Sequence, residues 1–258
     1  MKKKIIKKLK KIIPDDVFSD LRKYYIAYKF KKGYYDQNEK ELLIINKFVN
    51  YGDTVLDLGA NIGSYTRVFS SLVGETGKVH SFEAIPNTYS YLTFNVNHNK
   101  LKNIVTYNIA VGDKCQICKL VLPDIGLNDI YQAQLQGISG VKGRQFCVPM
   151  ATIDSMFNKY FDNLSFIKCD VEGAEFQVFK ESQNLIEYCK PRILCEVSSK
   201  TGDLFFQLLH NNGYKSYYFD GEKVNFCKGF DAMNTNQNYL FIHEKDKIAN
   251  SIINNINK

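Results

Sequence analysis

No run of about 20 apolar residues occurs anywhere in the 258 positions, so no membrane-spanning helix is expected. The basic start is broken by isoleucines and never yields the uninterrupted apolar segment of a secretory signal. Tryptophan is absent. The aromatic content comes from seventeen Tyr and eighteen Phe, most at core-facing positions, so individual rings read as core rather than as a sugar platform. Seven cysteines form an odd, scattered set within mostly apolar runs, which argues for reduced thiols and against a disulfide framework. Cys115 and Cys118 make a Cys-x-x-Cys pair with no second pair to complete four zinc ligands, so no metal site is assigned. None of the four histidines, His80, His98, His210 and His243, stands in a catalytic arrangement, and no internal repeat is present.

Basic residues are scarce in the body of the chain. Residues 1–32 hold twelve Lys or Arg against three Asp, a balance of +9 within a total of +7, leaving the remainder at −2. A nearly neutral body argues against a nucleic-acid partner, which would need a basic groove. The expected organisation is an amphipathic arm at 1–32, one α/β domain at 33–246 and a tail at 247–258 that is either frayed or a short amphipathic helix. Within the arm, Ile5, Ile6, Leu9, Ile12 and Ile13 share a helical stripe among lysines, and Pro14 stops the pattern. Residues 1–13 suit peripheral contact with an anionic membrane; packing on the body, on a subunit, or disorder are the other readings. Residues 15–32, with Tyr24, Tyr25 and Tyr28, are expected to pack against the fold.

What the body does contain is organised around Thr54-Val55-Leu56-Asp57-Leu58-Gly59-Ala60-Asn61-Ile62-Gly63. A buried strand turns there into a helix, as at the ligand-binding ends of open α/β sheets. Gly59 and Gly63 serve a loop that needs positive φ or close backbone approach to a ligand. The spacing is Gly-x-x-x-Gly rather than the Gly-x-Gly-x-x-Gly of a dinucleotide site. Asp57 at the strand tip would repel phosphate but suits an ammonium near a sulfonium, both of which S-adenosylmethionine carries. A second strand, 78–83, ends at Glu83, placed to accept from two ribose hydroxyls.

These blocks, with Phe82-Glu83-Ala84-Ile85-Pro86-Asn87, Thr152-Ile153-Asp154-Ser155, Phe166-Ile167-Lys168-Cys169-Asp170-Val171-Glu172-Gly173-Ala174-Glu175 and Pro191-Arg192-Ile193-Leu194-Cys195-Glu196, resemble the FkbM family of methyltransferases over roughly residues 50–200. The resemblance implies a class I Rossmann-like fold, S-adenosylmethionine as donor, and methylation of a hydroxyl on a sugar or polyketide. It also implies that residues leaving the third strand, Asn108, Ile109 and Ala110, flank the adenine. Asn108 either bonds the adenine edge or caps the turn.

Alternation of strands with helices predicts seven strands, mostly parallel with one antiparallel, and helices on both faces. A helix over 37–49 is expected to cover the cofactor site, and glycine-bearing residues 123–144 are either a mobile lid or a surface excursion. Cofactor-binding candidates are Asp57, Gly59, Asn61, Gly63, Glu83, Asn108 and Ala110. At the fourth strand's tip, Asp170 and Glu172 are the catalytic candidates, one of which orients and deprotonates the acceptor hydroxyl; ammonium binding or helix capping are their other roles. The function so read is O-methylation of a sugar hydroxyl on a cell-surface glycan or its precursor by a cytoplasmic protein at the inner face of the membrane. Methylation of a small metabolite on O or N, or a cofactor-binding scaffold without turnover, are the alternatives.

Overall fold

The computed structural model describes residues 15–34, 39–123, 134–135, 143–157, 163–231 and 237–257. Residues 1–13, with the expected membrane stripe, and most of 123–144, with the expected lid, lie outside the described residues. The chain opens with α1 (Asp15–Lys31). An alternating region follows: β1 (Thr54–Leu58), α2 (Ser64–Val73), β2 (Lys78–Phe82), α3 (Pro86–His98) and β3 (Ile104–Tyr107). Short strands β4 (Ala110–Val111), β5 (Gln116–Pro123), β6 (Gln134–Leu135) and β7 (Gly143–Ala151) precede α4 (Ile153–Phe157). Then come β8 (Leu164–Cys169), α5 (Glu175–Lys180), β9 (Arg192–Glu196), α6 (Gly202–Asn211), β10 (Tyr214–Phe219), β11 (Val224–Cys227), β12 (Asn238–His243) and α7 (Lys247–Ile256).

The main sheet runs β11-β10-β12-β9-β8-β1-β2-β3. Strands β3, β2, β1, β8 and β9 are parallel, whereas β12 pairs antiparallel with both β9 and β10. All seven expected strands are therefore present in a class I methyltransferase order. The eighth, β11, was not expected: it closes a hairpin on β10 across Asp220–Lys223, where Asp220 accepts the amides of Glu222 and Lys223 at 2.8 Å. A four-residue strand with one buried position carries too little alternation to be read from sequence. Strands between Ala110 and Ala151 form a second sheet, β4-β7-β5-β6, in which β5 and β7 pair antiparallel from Gln116↔Met150 to Pro123↔Gly143.

Period-two alternation sorts each strand's side chains between two cores. Leu56, Leu58, Ile167, Cys169, Ile193 and Phe241 face α5 and α6, packing with Val178, Phe179, Phe205 and Leu209. Val55, Val79, Phe166, Leu194 and Ile242 face the other side with Phe69 and Val73 of α2 and Ala249 and Ile253 of α7. The tail is thus the amphipathic-helix alternative: Asp246 caps α7 by accepting from the Ala249 amide and also holds Arg192 of β9 at 2.8 Å.

Two local readings change. The expected 37–49 helix is two 3₁₀ turns, Lys40–Leu43 and Ile45–Lys47, because adjacent β-branched Ile44 and Ile45 and Asn46 disfavour a continuous α-helix. Ile44, Ile45, Phe48 and Val49 cover the sheet rather than the cofactor loop. In α1, Ile26, Ala27 and Phe30 are buried, while Leu21, Tyr24, Tyr25 and Tyr28 are about half exposed, Tyr24 lying edge-on to Phe94 and His98 of α3. Among the described residues no helix is long and apolar enough to cross a membrane.

Candidate active site

The sheet reverses direction of winding between β1 and β8, and a cleft opens there beyond the carboxyl ends of the strands, as in doubly wound folds generally. It has about 670 Å³ of open space and is lined by Gly59, Asn61, Phe82, Glu83, Ala84, Ile85, Ile109, Ala110, Val111, Leu120, Asp170, Val171, Glu172 and Ala174.

Main-chain bonds extend the sheet past its strands to shape the cleft. The amides of Gly59 and Ala60 both donate to Phe82 O at 3.0 and 2.8 Å, and the Asp170 amide donates to Leu58 O at 2.9 Å. Gly59 has φ +77°, and a Cβ there would meet the Asp170 carbonyl oxygen at 1.7 Å. Its glycine is therefore demanded by the neighbouring strand tip as well as by the turn. Gly63, φ +99°, lies outside the lining; a Cβ there would press Leu92 at 2.8 Å and Phe30 at 3.2 Å, so its smallness seats α3 and α1 on the loop.

Glu83 is buried, and its two oxygens accept from the amides of Asn61 at 3.0 Å and Ile85 at 2.8 Å. Burial pushes its carboxyl up to about 7 against the pull of those two bonds. Asn61, in the left-handed region at φ 53°, also turns its side chain onto the Ile62 amide at 2.7 Å. Asn108 donates to Glu83 O at 2.8 Å and Ala84 O at 3.0 Å, which pins the turn carrying Glu83. Its geometry is that of the turn cap, while Ile109 and Ala110 line the cleft.

Asp57 is fully buried beneath the glycine loop and does not line the cleft. One oxygen accepts Thr66 Oγ1 at 2.5 Å; Oδ1 has no hydrogen-bond partner. Burial raises its carboxyl above the ordinary value, opposed by Lys168. The Glu83 carboxylate, with spare lone pairs, and the glycine-lined cleft fit a ligand that brings vicinal hydroxyls. The donor, S-adenosylmethionine, matches that set.

Asp170 also lines the cleft, and the nearly inaccessible Lys168 donates to its Oδ2 at 2.8 Å. Burial alone would lower its ammonium, but Asp170 and Asp57 outweigh burial and hold it above its ordinary value. Its Nζ also sits 5.0 Å over the Tyr65 ring, whose hydroxyl donates to Glu39 at 2.9 Å. Glu172 is half-buried at φ 54°; burial first, then Asp170 and Glu196, push its carboxyl up to about 8. Glu196, at the end of β9, rises to about 7 through burial and Asp170. Glu175 accepts from the Gly173 amide at 2.8 Å and shapes the turn.

Glu39, Tyr65 and Glu196 were not among the sequence candidates. Glu196 carried a signal, since it ends an apolar strand as Asp170 does; Glu39 and Tyr65 carried none. Among the described residues no three of His, Cys, Asp or Glu group as a metal-binding set.

The structure resembles several solved methyltransferases at low identity. A methyltransferase FkbM from Methylobacillus flagellatus KT is 16% identical over 73% of this chain and 43% of that one, with a TM-score of 0.49. This chain thus spans less than half the length of that protein. Aeropyrum pernix fibrillarin, solved with natively bound S-adenosyl-L-methionine, is 14% identical over 75% of this chain and 67% of that one, TM-score 0.43. An O-methyltransferase dependent on the same cofactor from Thermotoga maritima is 12% identical, covering 81% and 66%, TM-score 0.43. Comparison with curated proteins returns no match. The sequence profile of the Methyltransferase FkbM domain matches residues 57–216, from the buried Asp57 through the whole cleft to β10, and by that match over more than half its length the chain belongs to the FkbM methyltransferase family.

Proposed function

We propose that this chain methylates a hydroxyl on a sugar of a cell-surface glycan or its precursor, at the cytoplasmic face of the membrane. The observation that supports the reading is that one cleft is lined both by Gly59, Asn61 and Glu83 and by the acids Asp170 and Glu172. Bound S-adenosylmethionine supplies an electrophilic methyl group. Glu83 would hold the ribose hydroxyls, the Gly59–Asn61 turn would lie against the donor, and Phe82, Ile109, Ala110 and Val111 would give an apolar wall for the base.

A neutral hydroxyl is a poor nucleophile and needs its proton removed as the bond forms. Asp170 is engaged by Lys168, which fixes its carboxylate in the cleft to orient the hydroxyl. Glu172, titrating near 8 and held by a strained backbone, is free to take the proton. The dense carboxyls at this end favour a neutral polyol over an anionic acceptor.

The test uses purified protein, labelled donor and a panel of neutral sugars and glycan precursors. Glu172→Gln should bind S-adenosylhomocysteine normally by calorimetry yet lose about 10²-fold or more in turnover. The unaltered enzyme should gain rate up to about pH 8. Normal turnover by the variant would remove Glu172 from the mechanism, and transfer confined to amines would overturn the hydroxyl assignment.

A further inference from the structure

The parallel ladder reaches the carboxyl ends of four neighbouring strands in step. Phe82 of β2 pairs with Leu58 of β1, Leu58 with Cys169 of β8, and Cys169 with Cys195 of β9. The residues that follow therefore stand in one transverse row: Glu83, Gly59, Asp170 and Glu196. Gly59 brings no side chain, so the row reads carboxyl, gap, carboxyl, carboxyl. Alternation puts Asp170 on the face of Lys168, whose ammonium it accepts, and Glu196 on the face of Leu194, the register partner of Lys168. Asp170 and Glu196 thus share one side of the sheet, with their backbones a single strand spacing, about 4.8 Å, apart.

Their surroundings differ. Asp170 is engaged by Lys168, whereas the half-buried Glu196 side chain has, among the described residues, no hydrogen bond or ion pair. Burial first, then Asp170, raise its carboxyl to about 7, with Glu39 and Glu175 adding to the rise and Lys168 opposing it. A carboxylate withdrawn from water beside like charge lacks the donors that would stabilise it.

We infer that Glu196 is an acceptor-binding residue, accepting the hydroxyl adjacent to the one that is methylated while Asp170 accepts the reacting hydroxyl. This rests on the hydroxyl-methylating reading above, and it makes the acceptor a neutral diol or polyol rather than an isolated alcohol. Two carboxylates one strand spacing apart suit hydroxyls on neighbouring carbons, each donating to one of them. A single hydrogen bond would leave the acceptor free to turn; the second decides which hydroxyl faces the donor. Glu172 keeps its place as the proton acceptor.

The test pairs a deletion in the substrate with one in the protein, at about pH 8, above the value near 7 at which Glu196 titrates. The full chain is given labelled S-adenosylmethionine and the panel of neutral sugars. The sugar that is methylated is then compared with its monodeoxy analogues lacking a hydroxyl beside the methylated position. With the unaltered enzyme one such analogue should lose about tenfold or more in kcat/KM. Glu196→Gln should raise the acceptor KM by about tenfold at unchanged S-adenosylhomocysteine affinity, and the same deoxygenation should cost it little more, because both changes remove one contact. Glu196→Asp, which keeps the charge, should recover part of that loss. Additive losses, or an unaltered acceptor KM in Glu196→Gln, would overturn the assignment and leave hydroxyl methylation standing. So would equal kcat/KM for every deoxy analogue with the unaltered enzyme, a result that needs no variant to fold. Transfer to amines alone, or to no member of the panel, would instead overturn the hydroxyl reading and this assignment together.

Discussion

At the β1–β2 end of the cleft the shaping groups are main-chain amides and carbonyls: Gly59 and Ala60 on Phe82, Asn61 and Ile85 on the Glu83 carboxylate. Around Asp170 at the end of β8 the interacting groups are side chains drawn from four separate segments: Glu39, Tyr65, Lys168 with Asp170 and Glu172, and Glu196. Backbone geometry tolerates almost no change in residue type, because it needs particular φ values and close approach. Side-chain electrostatics tolerates changes in position but depends on the sum of several charges. The donor end should therefore fail sterically and the acceptor end electrostatically.

The largest expected effect breaks the first half of that comparison. Gly59→Ala places a methyl on the Asp170 carbonyl at positive φ and should cost about 3–5 kcal/mol in urea unfolding, with loss of S-adenosylhomocysteine binding. Gly221→Ala, in the β10–β11 turn with open space around it, should cost only about 1–2 kcal/mol and leave binding intact. Equal costs at the two sites would show that φ alone, rather than the approach of β8, makes Gly59 necessary.

Next, Lys168→Met removes the one cation held between Asp57 and Asp170. The uncompensated buried carboxylates should lower stability by about 3 kcal/mol, somewhat less to the extent that Asp170 reaches solvent. The same denaturation experiment on Asp170→Asn should show a smaller loss, because Asp57 continues to face the ammonium. If Lys168→Met were neutral, the acidic end would be held by packing rather than charge.

The smallest effect sharpens the comparison by pH. Glu83 has a folded value near 7, above its ordinary 4.5, so the folded chain keeps a proton that the unfolded chain has lost. Its stabilising contribution is complete below about pH 4.5 and is lost as pH rises through about 7, at up to about 1.4 kcal/mol per unit. In ligand-free chain the decline in unfolding free energy between pH 5 and 7 should be shallower for Glu83→Gln. Calorimetry in two buffers should also show proton release when S-adenosylhomocysteine binds the unaltered chain near pH 7, and none in the variant.

How far the sequence could be read follows the same division. The seven strands, the glycine loop and the acids ending β2 and β8 were legible because each is a local pattern: alternation, a turn with its glycines, a polar residue after an apolar run. Asn61 and Ala110 line the cleft, Ala110 having been placed there by the family resemblance. Asp57 was read as a strand-tip ligand, yet its side chain lies beneath the loop on Thr66, since alternation directs it away from the lining. Gly63 was read with the ligand, and it is Leu92 and Phe30 that crowd it. Residues 15–32 were read as packing against the fold, and they do so through Ile26, Ala27 and Phe30, whereas Tyr25 and Tyr28 stay about half exposed, because helical spacing shows that a face exists but not what covers it.

By itself, then, the sequence determined the order of strands and helices, the turns and the kind of chemistry at each strand end, because sterics and hydrogen bonding within a few residues decide them. Tertiary structure alone decided which carboxyls share one buried ammonium, which of them titrate near neutrality and which face of α1 meets solvent. Those properties depend on desolvation and on charges brought together from distant parts of the chain, as Glu39, Lys168 and Glu196 are here.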